Sequence, residues 1–469
     1  MTSRLLRDPA YRALKDFVVE STGLAYYVDK DEDLADRIER RMSKRNVQDC
    51  AAYLCLLKDG HGEEAELDAL ITELTIGETH FFRHREQFDA LRDVVLPDLI
   101  ERNRHTRRVR IWSAGCATGA EPYSVAILLK RELAHLVAGW EVSILGTDIN
   151  REFLTRAREG RFEEWAFRST PEDLKLACFS RSGKSYIIAP EYREWVSFQY
   201  HNLVRHPFPS LLSNLSAFDL ILCRNVTIYF APDVIRRMIA QFHECLVDGG
   251  WLLVGHAEPN TELFWAFRTV NVPGAVLYQK DVGQAINAGG FASGPTLETV
   301  ATWTPPSLPE PDLLLEKKVP CPQTIPRRGD GESAEPTPSG LAAVRLLADQ
   351  GRWEEAARRC EELLKTDRLN PAVHFYHALV LEQMGFHDET ERSLQRAIYL
   401  DRTFVLAHYH LGLFLQRKGK AQGAARSFQN VLRLLSRMED DRVFSDGDGI
   451  TAVELRELSQ IHLEVLKGA

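Results

Sequence analysis

The chain has 469 residues, 44% of them hydrophobic, and a formal net charge of −9. This is length for two or three domains with apolar material for their cores, and the acidic balance argues against a nucleic-acid partner. The eight cysteines form no CxxC pair, which points to a reducing compartment and no metal site. No run of about 18 apolar residues occurs, and the opening MTSRLLRDPA lacks an apolar core, so a cytoplasmic protein without direct membrane insertion is expected.

Residues 1 to about 100 read as helical. Asp8-Pro9 is a cap with proline at the first helical position; Tyr11, Leu14, Phe17 and Val18 share a face, and Gly23 is a stop. A second helix over 31–45 puts Leu34, Ile38 and Met42 on one stripe. Arg37, Arg40, Arg41, Lys44 and Arg45 crowd its other faces, as a solvated surface or as a docking face for an acidic partner. Then comes LTIGETHFFRHR, residues 74–85. Thr75 and Thr79 are small hydroxyls, Gly77 breaks a helix, and Phe81 and Phe82 require burial. Arg83 stands just beyond that anchor, in a capped helix start or in a segment folded over a ligand.

The stretch VRIWSAGCATGAEPY, residues 109–123, reads as strand, glycine loop and helix, with Gly115 and Gly119 in the loop and Glu121-Pro122 opening the helix. Such a turn aims backbone N–H groups above the sheet. A second strand through Val142, Ile144 and Leu145 ends on Asp148, where an acid typically holds ribose hydroxyls. The loop is neither G-x-G-x-x-G nor a P-loop, which disfavours NAD and ATP. S-adenosylmethionine fits better, since its carboxylate can use the helix N-terminus and it carries no pyrophosphate.

From about Val109 to Lys280 strands and helices alternate, as in a doubly wound α/β sheet. INREFLTRAREG is a helix and Thr170–Asp173 a helix start. SYIIAPEYREWVSF alternates and is aromatic, so a small β element interrupting the sheet order is expected over Tyr186–Phe198. Tyr200-His201-Asn202-Leu203 precedes a proline-bearing loop. Phe218 to Arg224 is a strand buried on both faces, and its end places Arg224 and Asn225 where ligands bind. A helix is expected over 232–247, stopped by Gly249-Gly250; Trp251–Gly255 is a strand. Ala275–Gln279 is the last strand, pairing as an antiparallel edge with the strand before it. Residues 281–336 are rich in proline and read as an extended, disordered linker. Beyond it Gln350-Gly351, Met384-Gly385 and Lys418-Gly419 recur at the 34-residue period of tetratricopeptide repeats, each followed five residues later by Ala356, Thr390 or Ala424. Trp353, Phe386, Leu394 and Phe428 are the expected packing residues, and Ala452–Leu466 a capping helix.

ITELTIGETHFFR, WSAGCATGAEPYS, GTDINREFLTRAREG, YHNL and CRNVTIYF, in this order over about residues 10–280, resemble the CheR family of chemoreceptor glutamate O-methyltransferases. The resemblance implies a helical N-terminal domain over 1–85 and a class I S-adenosylmethionine-dependent methyltransferase domain over 86–280, with a β-subdomain insertion at about 180–200. A linker at 281–336 and an all-α repeat domain over 337–469 follow. In some members the insertion grips a receptor-terminal pentapeptide; nothing in this sequence establishes such a tether. The basic cluster on 31–45 becomes the receptor-facing helix. Carried over by position, Thr79 and Arg83 are cofactor-proximal, and Gly77 stands where many members have Asn. Gly115 belongs to the cofactor loop, Glu121 meets the methionine end and Asp148 the ribose. Asn202, Leu203, Arg224 and Asn225 line the adenine and methionine pockets, and Tyr229 lies near the transferred methyl.

The implied reaction moves a methyl group from S-adenosyl-L-methionine to a glutamate of a methyl-accepting chemoreceptor's cytoplasmic domain, leaving S-adenosyl-L-homocysteine. A glutamate, with a reference pKa of about 4.3, is ionised already at neutral pH, so alignment matters more than a base. Arg83 and Tyr229 are the catalytic candidates, Arg83 by a charge-assisted bond to the carboxylate. The repeats would bind an unidentified protein, the chain's own catalytic domain or another copy. Two alternatives stand beside this reading: a methyltransferase for another substrate, such as RNA or a small molecule, and an adaptor whose degenerate domain only binds the cofactor or receptor.

Overall fold

The computed structural model describes residues 4–58, 63–281, 340–440, 442–444 and 450–468. The expected linker lies, beyond Asp281, outside the described residues. Four helices come first: α1 (Tyr11–Thr22), α2 (Asp31–Arg45), α3 (Cys50–Lys58) and α4 (Glu63–Leu74). Their shared core takes Leu14, Val18, Leu34, Ile38, Met42, Tyr53 and Leu70, so the apolar stripe of α2 is buried as its spacing requires. Asp31, Glu32 and Asp33 open α2 while Lys44 and Arg45 close it, which opposes the helix dipole favourably at both ends. Gly23 ends α1 with φ 74°. Asp8 acts differently from the expected cap. Its two carboxylate oxygens take the N–H of Ala10 and of Cys50, each at 2.8 Å, so it joins the start of α3 to the chain before α1.

The sheet domain follows as α5 (Arg85–Ala90), α6 (Leu96–Arg102), β1 (Arg108–Ala114), α7 (Ala120–Glu132), β2 (Glu141–Asp148), α8 (Arg151–Glu159), β3 (Arg161–Glu163), α9 (Glu172–Cys178), β4 (Phe179–Ser182), β5 (Ser185–Ile188), α10 (Pro190–Arg193), β6 (Val196–Tyr200), β7 (Phe218–Cys223), α11 (Pro232–Cys245), β8 (Leu246–Val254), β9 (Phe267–Val272) and β10 (Ala275–Lys280). The main sheet has the order β6-β2-β1-β7-β8-β10-β9. Its first five strands are parallel, and β10 runs antiparallel to both neighbours. Every residue of β7 is buried, because helices cover both faces of its centre.

Three expectations change here. The alternating stretch 186–198 does not form one element. Ser185–Ile188 joins β3 and β4 in a separate three-stranded antiparallel sheet that begins at Arg161, whereas Val196–Tyr200 pairs parallel with β2. An edge strand is half-exposed, so its sequence alternates like a hairpin strand. Secondly, β10 is not the edge: Phe267–Val272 lies outside it, and its polar alternation hid it. Thirdly, α11 ends at Cys245 and Gly249-Gly250 fall inside β8, beside a register irregularity against β7.

Six helices of the C-terminal region pair as α12 (Leu341–Asp349) with α13 (Trp353–Thr366), α14 (Pro371–Gln383) with α15 (His387–Leu400), and α16 (Val405–Arg417) with α17 (Ala421–Leu435). Gly351, Gly385 and Gly419 make the turns at φ 74°, 80° and 69°. Ala356, Thr390 and Ala424 are fully buried, so the 34-residue recurrence is a packing recurrence. Leu394 and Phe428 are in the core and Trp353 packs at its margin, but Phe386 is 48% exposed and does not serve as a packing residue. A last helix, α18 (Ala452–Gly468), lies against α17.

Residues 4–281 and the repeats belong to one compact unit. Half-buried Arg110 of β1 donates to Gln383 of α14 at 2.5 Å and to Asn214 Oδ1 at 2.8 Å, while Gln383 donates to the same Asn214 oxygen at 3.1 Å. Leu211 is buried in the repeat core, and Gly351 is seated so closely that a Cβ there would come within 3.0 Å of Ala217. The repeats thus hold the loop before β7.

Candidate active site

The cleft lies at the carboxyl ends of the parallel strands, where an open α/β sheet leaves backbone groups free. On one side the loop after β1 is clasped to the end of β2. Gly115 and Cys116 donate their N–H groups to the Thr147 carbonyl at 2.8 and 2.9 Å, and Trp112 Nε1 donates to the Thr147 hydroxyl at 2.9 Å. Gly115 has φ 76°, and a Cβ there would meet Val226 at 2.4 Å, so both conformation and space demand glycine. Asp148 is buried and accepts the N–H of Ala117 at 2.9 Å and of Asn150 at 2.8 Å, one on each oxygen. Burial outweighs these bonds and pushes its carboxyl up to about 6. The backbone N–H of Ile149 acts on the same carboxylate and opposes the rise.

The opposite side is built from β7 and β8, and its charged groups are held by other side chains and backbone groups. Arg224 donates from Nε to Gln87 Oε1 at 2.8 Å, from Nη1 to Glu121 Oε2 at 2.9 Å, and from Nη2 to the Arg83 carbonyl. Burial pushes its guanidinium down, opposed by the Glu121 carboxylate. Glu121's other oxygen accepts from Ser113 at 2.7 Å. Gln87 in turn donates to the Val254 carbonyl at 2.7 Å. Asn225 stands at φ 59°, with its Oδ1 buried and without a hydrogen-bond partner among the described residues. Glu258 holds this turn: it accepts from Asn225 N at 2.8 Å, Val226 N at 3.0 Å, Thr227 Oγ1 at 2.8 Å and Gly255 N at 2.5 Å. The sequence reading missed Glu258 and Gln87. An acid three residues past a glycine at a strand's end was the available signal for Glu258, the same kind that singled out Asp148.

The N-terminal domain covers the cleft. A Cβ on Gly23 would lie 2.3 Å from Val204 and 2.9 Å from Phe230, so the end of α1 rests directly on the sheet domain. Asn202 donates to the Ser21 carbonyl at 2.9 Å and accepts from Val204 N at 3.0 Å and Arg205 N at 3.3 Å; its side chain is occupied in joining the two domains. Leu203 is buried in the sheet-domain core rather than at a free surface. Tyr229 is half-buried, edge-on to Tyr26 at 6.0 Å, and burial pushes its phenol up.

The segment carrying Arg83 is anchored on both sides. Phe81 fills the small sheet's core, 4.7 Å from Phe162 and 4.8 Å from Phe179 between ring centres, and Phe82 N bonds Ser124 Oγ at 3.0 Å. Phe82 and His84 both have positive φ, so the chain turns sharply around Arg83. Half-buried Arg83 donates to the Glu78 carbonyl at 3.1 Å and has no carboxylate partner among the described residues. Thr79 is half-buried nearby in sequence. Gly77 is covered by the Phe153 ring, which a Cβ would meet at 2.5 Å; its side-chain space is used for packing.

The basic face of α2 divides. Arg41 forms a two-pronged pair with buried Glu66 at 3.0 and 2.7 Å, and Arg37 donates to the Glu73 carbonyl; both fasten α2 to α4. Arg40, Lys44 and Arg45 also approach Glu73 or Glu66, but they are 56%, 59% and 47% exposed.

Two family models match the chain. The one described as "CheR methyltransferase, SAM binding domain" covers residues 77–274, and "CheR methyltransferase, all-alpha domain" covers residues 9–75. The chemotaxis protein methyltransferase of Borreliella burgdorferi is 31% identical, over 54% of this chain and 89% of its own. Chemotaxis protein methyltransferase 2 of Vibrio cholerae is 32% identical, over 55% and 88%. Chemotaxis protein methyltransferase 1 of Pseudomonas aeruginosa is 28% identical, over 57% and 97%.

Proposed function

The chain belongs to the CheR family of chemotaxis protein methyltransferases, and from that premise we propose that it esterifies glutamate side chains on the cytoplasmic domain of a chemoreceptor. The cofactor is S-adenosyl-L-methionine, which when bound supplies a methyl group already electrophilic on its sulfonium. The observation that carries the assignment of its site is Asp148: a buried carboxylate at a strand's carboxyl end, held on both oxygens by backbone N–H groups and with no side-chain donor or cation paired with it among the described residues. Ribose hydroxyls can donate to the acceptor capacity that remains there. The unpartnered Oδ1 of Asn225 offers a further acceptor.

Arg83 is the candidate for orienting the substrate carboxylate. Among the described residues its guanidinium has only a backbone carbonyl to hold it, so a charge-assisted bond to a glutamate remains available. Arg224 is committed elsewhere, because each of its three guanidinium nitrogens already donates, to Gln87, Glu121 or the Arg83 carbonyl. This matters for rate: a nucleophile neutralised by two cations in the ground state would lose reactivity. Tyr229, whose phenol stays protonated, can add a hydrogen bond. Arg40, Lys44 and Arg45 are the residues of α2 left to meet an acidic receptor surface. The repeats supply a surface for protein interaction.

The direct test is transfer of labelled methyl from S-adenosyl-L-methionine to chemoreceptor cytoplasmic fragments. Base-labile label on glutamates is expected, and it should vanish in Arg83→Ala while S-adenosyl-L-homocysteine still binds. Alkali-stable label on arginine or nucleic acid would overturn the proposal.

A further inference from the structure

Strands β2 and β6 end side by side, with Asp148 opposite Tyr200. His201 N donates to the Asp148 carbonyl at 3.1 Å. The two segments leaving this point, the start of α8 and the turn after β6, therefore frame Asp148. Both are approached from outside by the last helix of the chain. Glu457 of α18 stands 3.8 Å from Arg151, the first residue of α8, and Glu454 stands 3.8 Å from Nε2 of His206.

Neither contact stops at the surface. Arg151 also pairs with Asp68 of α4 at 2.8 Å and lies 3.9 Å over the Tyr200 ring. His206 accepts the Asn202 N–H on Nδ1 at 3.2 Å, and Asn202 reaches the Ser21 carbonyl of α1. Each glutamate thus leads, through one side chain, to a neighbour of Asp148 and on to the covering domain.

The helix that presents them is itself fixed. Thr451 N and Oγ1 both donate to Glu454 Oε2 at 2.8 Å, a capping box that leaves Oε1 turned to His206. Arg456, between the two glutamates, is pinned to Asp440 at 2.6 Å and to the Leu435 carbonyl at 3.1 Å. The Arg110–Gln383–Asn214 bonds fasten the repeats to the sheet domain at a second place.

We propose that Glu454 and Glu457 are positioning residues for cofactor binding, so that the terminal helix of the repeat domain braces the ribose side of the methyltransferase site. This rests on the reading of Asp148 as the ribose acceptor. A cofactor gains affinity when the groups it meets are already ordered; the brace orders the two segments that carry and flank Asp148. Loss of either glutamate leaves Arg151 its pair with Asp68, so the fold persists while the segments loosen.

The test is calorimetric titration of the full chain with S-adenosyl-L-homocysteine, comparing the parent, Glu454→Gln, Glu457→Gln, the double variant and the remote charge control Glu389→Gln. The double variant should bind about fivefold more weakly, equivalent to about 1 kcal/mol. Its KM for S-adenosyl-L-methionine should rise with Kd while kcat stays, and the control should match the parent. A Kd within about twofold of the parent, or a lowered melting temperature with unchanged Kd, would overturn the brace. If the double variant does not fold, the single variants decide by the same criterion. Failure of the parent itself to bind would instead overturn the reading of the site, which keeps the two ideas separable.

Discussion

The two sides of the cleft handle buried charge in opposite ways. The β1–β2 side carries Asp148, which has no cation beside it among the described residues and is held by backbone N–H groups alone, so burial raises its carboxyl to about 6. The β7–β8 side carries Arg224, each of whose guanidinium nitrogens already donates to a protein acceptor, and Glu258, whose two oxygens are shared among several donors. A polar group that is buried and still unsaturated costs stability but can bind; one that is saturated shapes the site and binds nothing more. Arg83 extends the lesson to the rim, where a cation with a single carbonyl partner faces a neighbour of the same type that is fully engaged.

The comparison breaks most visibly at Glu258. Glu258→Ala should orphan several donors at once and destabilise the chain by about 4 kcal/mol, read by denaturant unfolding. A loss below about 1 kcal/mol would show that the β7–β8 turn does not depend on it. Arg83→Ala should lower kcat about a hundredfold, near 2.7 kcal/mol, with S-adenosyl-L-homocysteine affinity kept; an equal fall in affinity would move Arg83 to the cofactor. Asp148→Ala should weaken S-adenosyl-L-homocysteine binding about thirtyfold with little loss of fold, measured by calorimetry.

A pH series sharpens the same contrast. Because the folded carboxyl of Asp148 is raised, its contribution to stability is fully present below the ordinary carboxylate range and is lost as pH rises through about 6. Cofactor affinity runs the other way, since the ionised form has more acceptor capacity. Binding should therefore weaken up to about tenfold between about pH 7 and about pH 5, and Asp148→Asn should flatten that slope. The smallest effect concerns α2. Neutralising Arg40, Lys44 and Arg45 together should raise the receptor KM about fivefold at low salt and less at high salt, whereas Arg41→Gln should lower stability instead.

Much of this was legible in residue order. Strand-to-helix turns at Gly115 and the acid at Asp148 are local features, fixed by backbone chemistry within a few residues. The same holds for the α2 stripe and the 34-residue spacing of Gly351, Gly385 and Gly419. What went unread depended on partners distant in sequence. Val196–Tyr200 belongs to the main sheet only because β2 leaves an edge for it. Arg41 looked like a surface cation until Glu66, 25 residues away, took it. Phe386 looked like core and is exposed, because the periodicity of a repeat does not say which members of a turn face inward.

The sequence by itself determined the kind of domains in this protein and singled out the loop, acid and arginine proposed for its site, since period, glycine position and strand-end acids are short-range properties. Only the tertiary structure decided which charges remain available. Whether a buried arginine or carboxylate is spent or free depends on where the rest of the chain puts its partners: Glu121 with Arg224 across 103 residues, and Glu457 beside Arg151 from the far end of the molecule.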